Sequence, residues 1–334
     1  MPIETVVITG ASAGVGRATA RAFAKRRARL GLLARGADRL GATAREVRAA
    51  GGEAIVLPTD VADADAVEAA AAAVEREFGP IDIWINNAMA TVFAPVSKLT
   101  PEEYRRATEV TYLGCVYGTM AALRRMLPRD HGTIVQVGSA LAYRAIPLQA
   151  PYCGAKHAIR GFTDSLRCEL LHENSNVRIT MVQMPALNTP QFDWARNKMP
   201  RRPRPMGTIF QPELASQAIV YAAHSNSREV WVGGSTVEAV VGNKFAPGLL
   251  DRFLGRRGYD GQLSAEPAEA AGDAGNLFVP PCGDPGAHGR FDTRAKPHSM
   301  EFRLASHRGL ISAVIGSAAL IAGVFLLVSR APAR

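Results

Sequence analysis

Along the first 240 residues, short continuous apolar runs alternate with longer stretches in which apolar positions return every three to four residues. The runs Thr5–Thr9, Arg29–Ala34, Ala54–Pro58, Ile81–Ile85, Thr133–Val137, Arg178–Gln183 and Glu229–Val232 read as strands. Between them, helices are predicted over Arg17–Arg27, around Asp38–Ala50, over the Ala-rich Ala64–Phe78 that Gly79-Pro80 ends, and over 101–127 and 151–172. Strands without internal alternation have no solvent face, which predicts a parallel sheet covered by helices on both sides. The expected fold is a doubly wound α/β domain over residues 1–258.

That pattern stops near residue 258. Residues 259–308 are rich in Gly, Pro, Ala and Asp, as in EPAEAAGDAGN and PPCGDPGAHG, with no sustained period of 2 or 3.6. So little apolar area cannot offset the entropy of ordering, which predicts a flexible linker. From Gly309 to Ser329, 21 residues carry no charge, and eleven of them are Leu, Ile, Val or Phe. A helix of that length, at about 1.5 Å per residue, matches the ~30 Å hydrocarbon core of a bilayer. Arg303, Arg308, Arg330 and Arg334 flank it. The expectation is a transmembrane helix at 309–329 followed by a short tail, 330–334; the alternative is a buried helix that closes the fold. Ser312-x-x-x-Gly316 and Ala319-x-x-x-Gly323 are small-residue spacings that would pack such helices together in a homo-oligomer.

Composition narrows the partners. With 47% hydrophobic and 21% charged residues, the chain is neither disordered nor collagen-like. The four cysteines (Cys115, Cys153, Cys168 and Cys282) form no C-x-x-C pair, which argues against a disulfide scaffold or a zinc site and fits a reducing compartment. The formal charge of +9 is local: nine Lys/Arg within residues 21–48 face only Asp38 and Glu46. A second cluster is Arg196, Lys198, Arg201, Arg202 and Arg204. No aromatic residues interleave with the first cluster and no zinc-finger or RNP pattern occurs, so nucleic acid is not the expected partner. Most of these arginines read as a solvated helix face. Met1–Glu4 runs straight into the first strand without a basic n-region and cleavage site, so no signal peptide is expected and the globular domain should face the cytoplasm.

The first strand leads into Thr9-Gly10-Ala11-Ser12-Ala13-Gly14-Val15-Gly16 and then a helix. Glycines there let the backbone turn tightly and approach a pyrophosphate, which gains the free N–H groups and dipole of the helix N-terminus. An acidic residue at the end of the second strand would bind a ribose 2′-hydroxyl. Here Arg35 follows Ala34 and Arg39 lies one turn on, and cations pair with a 2′-phosphate, so NADP(H) is preferred over NAD(H). Tyr152 and Lys156 are four apart and share a helix face. An ammonium beside the phenol would stabilise phenolate and lower the tyrosine pKa, suiting Tyr152 to acid–base chemistry. Ser139 follows strand Thr133–Val137, at the sheet edge where ligands bind; otherwise it is a turn or cap serine.

Thr9–Gly16, Asp60-Val61, Asn86-Asn87-Ala88, Ser139 and Tyr152-x-x-x-Lys156, in this order and spacing over residues 4–240, resemble the short-chain dehydrogenase/reductase family. The resemblance implies a Rossmann-fold, NAD(P)-dependent oxidoreductase acting on alcohols and carbonyls. Tyr152 would be the acid/base, Lys156 would also bond the nicotinamide ribose, and Ser139 would bond the substrate oxygen. Gly10, Ser12, Ala13, Gly14, Val15 and Gly16 would cradle the cofactor, with Asp60 and Val61 at adenine and Asn87 and Ala88 along the groove. Three positions depart from the family pattern. Thr111, in Thr111-Tyr112-Leu113-Gly114, replaces the catalytic Asn that holds a relay water, Met89 replaces a Gly, and Pro185-Ala186 replaces Pro-Gly. Thr189 stands one residue before the usual nicotinamide-contacting Thr. Thr111 is kept as a catalytic candidate, and Pro185 and Thr189 as cofactor candidates.

Between Ala186 and Pro212, Phe192, Trp194, Met199, Met206 and Phe210 alternate with basic residues. Apolar side chains on a lid suit a hydrophobic substrate such as a lipid, steroid, isoprenoid or long-chain carbonyl. Arg201-Arg202-Pro203-Arg204 would rest on anionic headgroups or lie in solvent. The function expected is a membrane-anchored NADP(H)-dependent carbonyl reductase or alcohol dehydrogenase; the alternative is a tethered NADP(H)-binding scaffold with little turnover.

Overall fold

The computed structural model describes residues 3–268 and 275–306. Seven parallel strands form the central sheet. From one edge their order is Glu229–Trp231, Arg178–Gln183, Thr133–Val137, Ile83–Asn86, Thr5–Thr9, Arg29–Ala34 and Glu53–Pro58. The chain therefore starts near the middle, winds to one edge, then crosses back and winds to the other. The reversal lies between Thr5–Thr9 and Ile83–Asn86, where a crevice opens at the carboxyl ends of the strands.

Successive side chains of the first strand go to opposite faces. Val6 and Ile8 pack with Phe23, Leu40, Val47, Leu214 and Ile219 beneath helices Gly14–Ala24, Ala37–Ala49 and Pro212–His224. Val7 packs with Val67, Val74, Trp84, Met126 and Leu166 beneath Ala64–Phe78, Gly114–Met126 and Ala150–His172. Burial on both faces is why these strands read as unbroken apolar runs. The Rossmann-type architecture matches the sequence expectation.

The helix expected over 101–127 is interrupted. Pro101–Thr108, started by a Thr100/Glu103 capping box, gives way to a π-helical turn at Glu109–Leu113 before Gly114–Met126 resumes. Gly114 and Gly118 let this helix lie close: a Cβ at Gly114 would sit 2.6 Å from Val61 Cγ2, and one at Gly118 2.2 Å from Asn86 Oδ1.

The flexible linker expected over 259–308 is corrected by the structure. Leu263–Pro267 pairs antiparallel with Arg201–Pro203, and Leu277, Ala287, Phe291 and Phe302 are buried. A handful of aperiodic apolar anchors, reinforced by arginines of the domain body, replaces the periodic face that the sequence lacks. Residues 275–292 cross the carboxyl end of the sheet as a strap. In the basic run and beside it, Arg201 pairs with Asp260, Arg202 with Asp193 and Glu266, and Lys198 with Glu103. The apolar stretch 309–329 and the tail 330–334 lie outside the described residues. Among the described residues, no helix is long and apolar enough to cross a membrane.

Candidate active site

The turn after strand Thr5–Thr9 is built by close packing. Gly10 adopts φ +66° and Gly14 φ +54°, a region that favours glycine. A Cβ at Gly16 would lie 2.2 Å from the Gly10 carbonyl oxygen, so Gly16 fixes the turn from behind and does not line the groove. Asn87 clamps the turn from the next strand: its Nδ2 donates to Thr9 O at 2.9 Å and to Gly10 O at 3.3 Å. Ala88 N–H donates to Thr9 Oγ1. Thr189 lies against Gly14 from the opposite side.

Two cavities meet at this turn. The first, of about 480 Å³, contains Ser139, Tyr152, Lys156 and Pro185; apolar side chains such as Leu141, Ile146, Phe192, Met206 and Phe253 make up much of its wall, and Arg144, Gln149, Arg204 and Glu238 also line it. The second, of about 190 Å³, runs along Gly10, Ser12, Ala13 and Gly14 to Arg35, Arg39, Asp60, Val61 and Ala88. Val15, Asn87 and Thr189 line both, so the two join into one groove.

Helix Ala150–His172 carries Tyr152 and Lys156 into the first cavity, with Lys156 Nζ 5.5 Å from the centre of the Tyr152 ring. Ser139 Oγ accepts from Leu141 N–H at 3.1 Å, capping a short turn, and Ser139 also lines the cavity. The pKa expected for Tyr152 is reversed. Burial pushes the phenol well above its ordinary range, and the Ser139 hydroxyl pulls it back only in part. The Lys156 ammonium, whose Nζ donates to Val137 O at 2.6 Å, does not offset that burial. Burial brings Lys156 itself down to about 8, and among the described residues no carboxylate pairs with it. The Thr111 hydroxyl accepts from Ala90 N–H and donates to Ala90 O, both at 3.0 Å, and Thr111 lines neither cavity.

At the far end, two arginines are hydrogen-bonded to backbone carbonyls of the strap. Arg35 donates to the carbonyls of Asn276, Leu277 and Phe278. Arg39 donates to those of Cys282 and Gly283 at 2.6 Å and lies 4.8 Å from the Trp194 ring centre. Neither has a carboxylate within ion-pair distance among the described residues, and burial lowers the pKa of both. Asp60 is held by Arg106 and Ala62 N–H, and its carboxyl lies below the usual range despite burial. A turn of backbone donors ending in two guanidiniums that form no direct ion pair among the described residues fits a phosphorylated dinucleotide. The strap's Gly286 carbonyl accepts the Gly14 N–H at 3.2 Å, so one donor of the turn is shared with the strap.

A family model described as short chain dehydrogenase matches residues 4–199. The chain belongs to the short-chain dehydrogenase family. It is 30% identical to an uncharacterized oxidoreductase, YxnA, of Bacillus subtilis over 93% of this chain and 87% of that one. It is 38% identical to human dehydrogenase/reductase SDR family member 7 over about half of each chain, 49% and 50%. Among solved structures, an alcohol dehydrogenase of the archaeon Thermococcus sibiricus complexed with 5-hydroxy-NADP superposes with a TM-score of 0.60 at 26% identity, covering 69% of this chain and 96% of that one. A metagenomic short-chain oxidoreductase in complex with NADP gives 0.58 at 27%, with the same coverage.

This short-chain dehydrogenase builds part of its site from residues that motif reading passed over. Leu250, Phe253 and Leu254 of helix Pro247–Gly261 wall the apolar cavity, and their spacing marks one face of a helix. Asn276, Pro280 and Pro281 line the second cavity from the strap. The strap had no such signal.

Proposed function

We propose that this short-chain dehydrogenase is an NADP(H)-dependent reductase of hydrophobic carbonyl compounds, and in reverse an alcohol dehydrogenase. The observation that carries the reading is the meeting of Tyr152, Lys156 and Ser139 where the apolar cavity joins the groove. When bound, NADPH supplies hydride to the carbonyl carbon. A carbonyl reaching in from the apolar cavity offers its oxygen to the Ser139 and Tyr152 hydroxyls. Tyr152, kept protonated by burial, gives its proton to that oxygen as negative charge grows there. Ser139 Oγ accepts from Leu141 N–H and keeps its own proton for the same oxygen. The Lys156 ammonium stabilises the tyrosinate left behind across a dry interior, where its field is weakly screened.

Arg35 and Arg39 support preference for the 2′-phosphorylated cofactor, as do the NADP complexes of the two structural neighbours. Leu141, Ile146, Phe192 and Phe253 support a hydrophobic substrate. The uncharged run 309–329 supports a membrane tether that brings the enzyme to lipid-dissolved carbonyls. Carbonate extraction of the full chain from cell membranes tests the tether: retention in the pellet is expected, and release to the supernatant refutes it.

The enzyme reading is tested by titrating the protein with NADPH and NADH, then following NADPH oxidation with long-chain and ring ketones and aldehydes. NADPH is expected to bind tighter than NADH. Tyr152→Phe is expected to lower turnover by roughly 10²–10⁴-fold with NADPH binding retained. Undiminished turnover in that variant refutes the mechanism.

A further inference from the structure

The fold divides the basic run Arg201-Arg202-Pro203-Arg204. Arg201 and Arg202 pair with the carboxylates of Asp260, Asp193 and Glu266. Arg204 forms no ion pair among the described residues, yet its guanidinium is held in place. Its Nε donates to Gly261 O and its Nη2 to Asp260 O, both at 3.2 Å. Its backbone N–H donates to Gln262 O at 2.8 Å, beside the pairing of Arg201–Pro203 with Leu263–Pro267. Bonds to neutral carbonyls fix the side chain without neutralising it, and its Nη1 makes none among the described residues.

Arg204 stands between two hollows. One is the cavity that contains Ser139, Tyr152 and Lys156. The other, of about 490 Å³ and more open, contains none of those three and is lined by Arg204, Arg257, Asp260 and Arg294. Pro205, Met206, Gly207 and Phe253 line both along with Arg204, so the hollows meet there. Arg257 and Arg294 are exposed and form no ion pair among the described residues, whereas Asp260 is already paired with Arg201. Two further charges line the inner cavity only: Arg144, tied to Asp251, and the exposed carboxylate of Glu238. The outer hollow therefore sets three guanidiniums against one engaged carboxylate. A guanidinium meets a carboxylate or phosphate through paired N–H donors, in a geometry that a neutral ester does not reward with charge.

We propose that the substrate is an amphiphile: a carbonyl on an apolar chain that fills the inner cavity, ending in an anionic head, carboxylate or phosphate, that Arg204 binds in the outer hollow. Arg204 is then a specificity-determining residue, with Arg257 and Arg294 adding positive potential around the head. This rests on the carbonyl-reductase reading above, and narrows its substrate from hydrophobic carbonyls to those that carry an anion at the far end from Tyr152.

The test compares NADPH oxidation by the full chain on three matched series, each below its micellar concentration: long-chain oxo-carboxylates with the ketone at successive positions, their methyl esters, and the corresponding oxo-alkyl phosphates. The kcat/KM of the better anionic series is expected to exceed that of the esters by roughly 10–100-fold, the range of charge-assisted hydrogen bonds, and the faster of the two anions names the head. Arg204→Met keeps the apolar stem; the anion-to-ester ratio is expected to fall toward one. Because the ratio is internal to each protein, a general loss of folded enzyme does not mimic this result. Esters turned over as well as both anionic series by the unmodified protein overturn the proposal, and leave the reductase reading standing. A preference that persists in Arg204→Met overturns the assignment to Arg204. An unmodified protein that binds NADPH but reduces no ketone, charged or neutral, overturns the reductase reading itself, and this inference with it.

Discussion

The groove has a floor and a wall of different construction. The floor is the glycine turn between Thr5–Thr9 and Gly14–Ala24, seated on a dry two-sided core and locked by backbone packing around Gly10, Gly16 and Asn87. The wall is the strap 275–292, held by a few buried side chains and by arginines gripping main-chain carbonyls. Packing of the first kind tolerates almost no added volume. Contacts of the second kind tolerate volume but depend on charge. The two should therefore fail under different perturbations.

The largest contrast is between two glycine substitutions. In Gly16→Ala the new Cβ meets Gly10 O at 2.2 Å and Asn87 Nδ2 at 2.7 Å, so the turn itself must shift. A cost of about 1–3 kcal/mol or more is expected, seen as a fall of several degrees in the thermal midpoint together with weakened NADPH binding. Gly283, in the strap, has φ +77° and nothing within 4 Å of an added Cβ. Gly283→Ala should cost about 1–2 kcal/mol of left-handed backbone strain locally and leave the global melt nearly unchanged. Equal melting shifts would show that floor and wall form one cooperative unit.

Arg35 belongs to both regions, so its removal sharpens the comparison. Arg35→Ala deletes a cation of the groove and frees three strap carbonyls. If the guanidinium meets the 2′-phosphate, NADPH affinity should fall by roughly 10–100-fold, the range of charge-assisted hydrogen bonds. NADH affinity should fall much less, through the loosened strap alone. Parallel losses for both cofactors would assign Arg35 to the strap and not to the phosphate.

These regions also differ in how far they can be read from sequence. The sheet was legible because burial on both faces demands continuous apolar runs. Ser139, Tyr152 and Lys156 were legible as a group through the family resemblance, and the structure places all three on one cavity. The strap was not: Leu277, Phe291 and Phe302 have no period, and what Arg35 and Arg39 grip is backbone, which every sequence supplies alike. The direction of the Tyr152 pKa was misread for a related reason. The i,i+4 spacing shows that an ammonium is near, but not that burial outweighs it or that Nζ turns to Val137 O.

Lys156 gives a smaller effect, graded in pH. Its pKa is lowered to about 8 by burial, so the ammonium persists below pH 8 and is lost above it. Single-turnover reduction at saturating NADPH should therefore fall as pH rises through about 8. The effect on stability has the opposite sign. The unfolded lysine titrates near 10.5, so between about 8 and 10.5 the unfolded state binds more protons, and this residue's contribution makes stability rise with pH. A reduction rate flat from pH 7 to 9.5 would remove Lys156 from the chemistry.

The smallest expected effect is confined to the wall. Arg17 spans floor and strap, pairing with Glu46 and with Asp284. Burial alone would raise the Glu46 carboxyl, but Arg21 and Arg17 overcome it and hold it at about 2, below its ordinary 4.5. Asp284 is likewise lowered, chiefly by Arg17. A carboxylate depressed in the folded state stabilises above its unfolded pKa, and loses that contribution as pH falls through the folded value. The Arg17 tie should thus be intact at pH 6 and weaken progressively between about pH 4.5 and 2. Asp284 is 44% exposed, so Asp284→Asn should cost less than ~1 kcal/mol. Its mark should be faster amide hydrogen exchange in residues 275–292 at pH 6, with strands Thr5–Thr9 and Arg29–Ala34 unaffected. Because Arg17 keeps Glu46, the variant should retain part of the acid sensitivity, and the residual slope with pH measures what Glu46 alone contributes. Exchange in the strap that ignores both the substitution and the pH would mean that Leu277 and Phe291 hold the wall without help from charge.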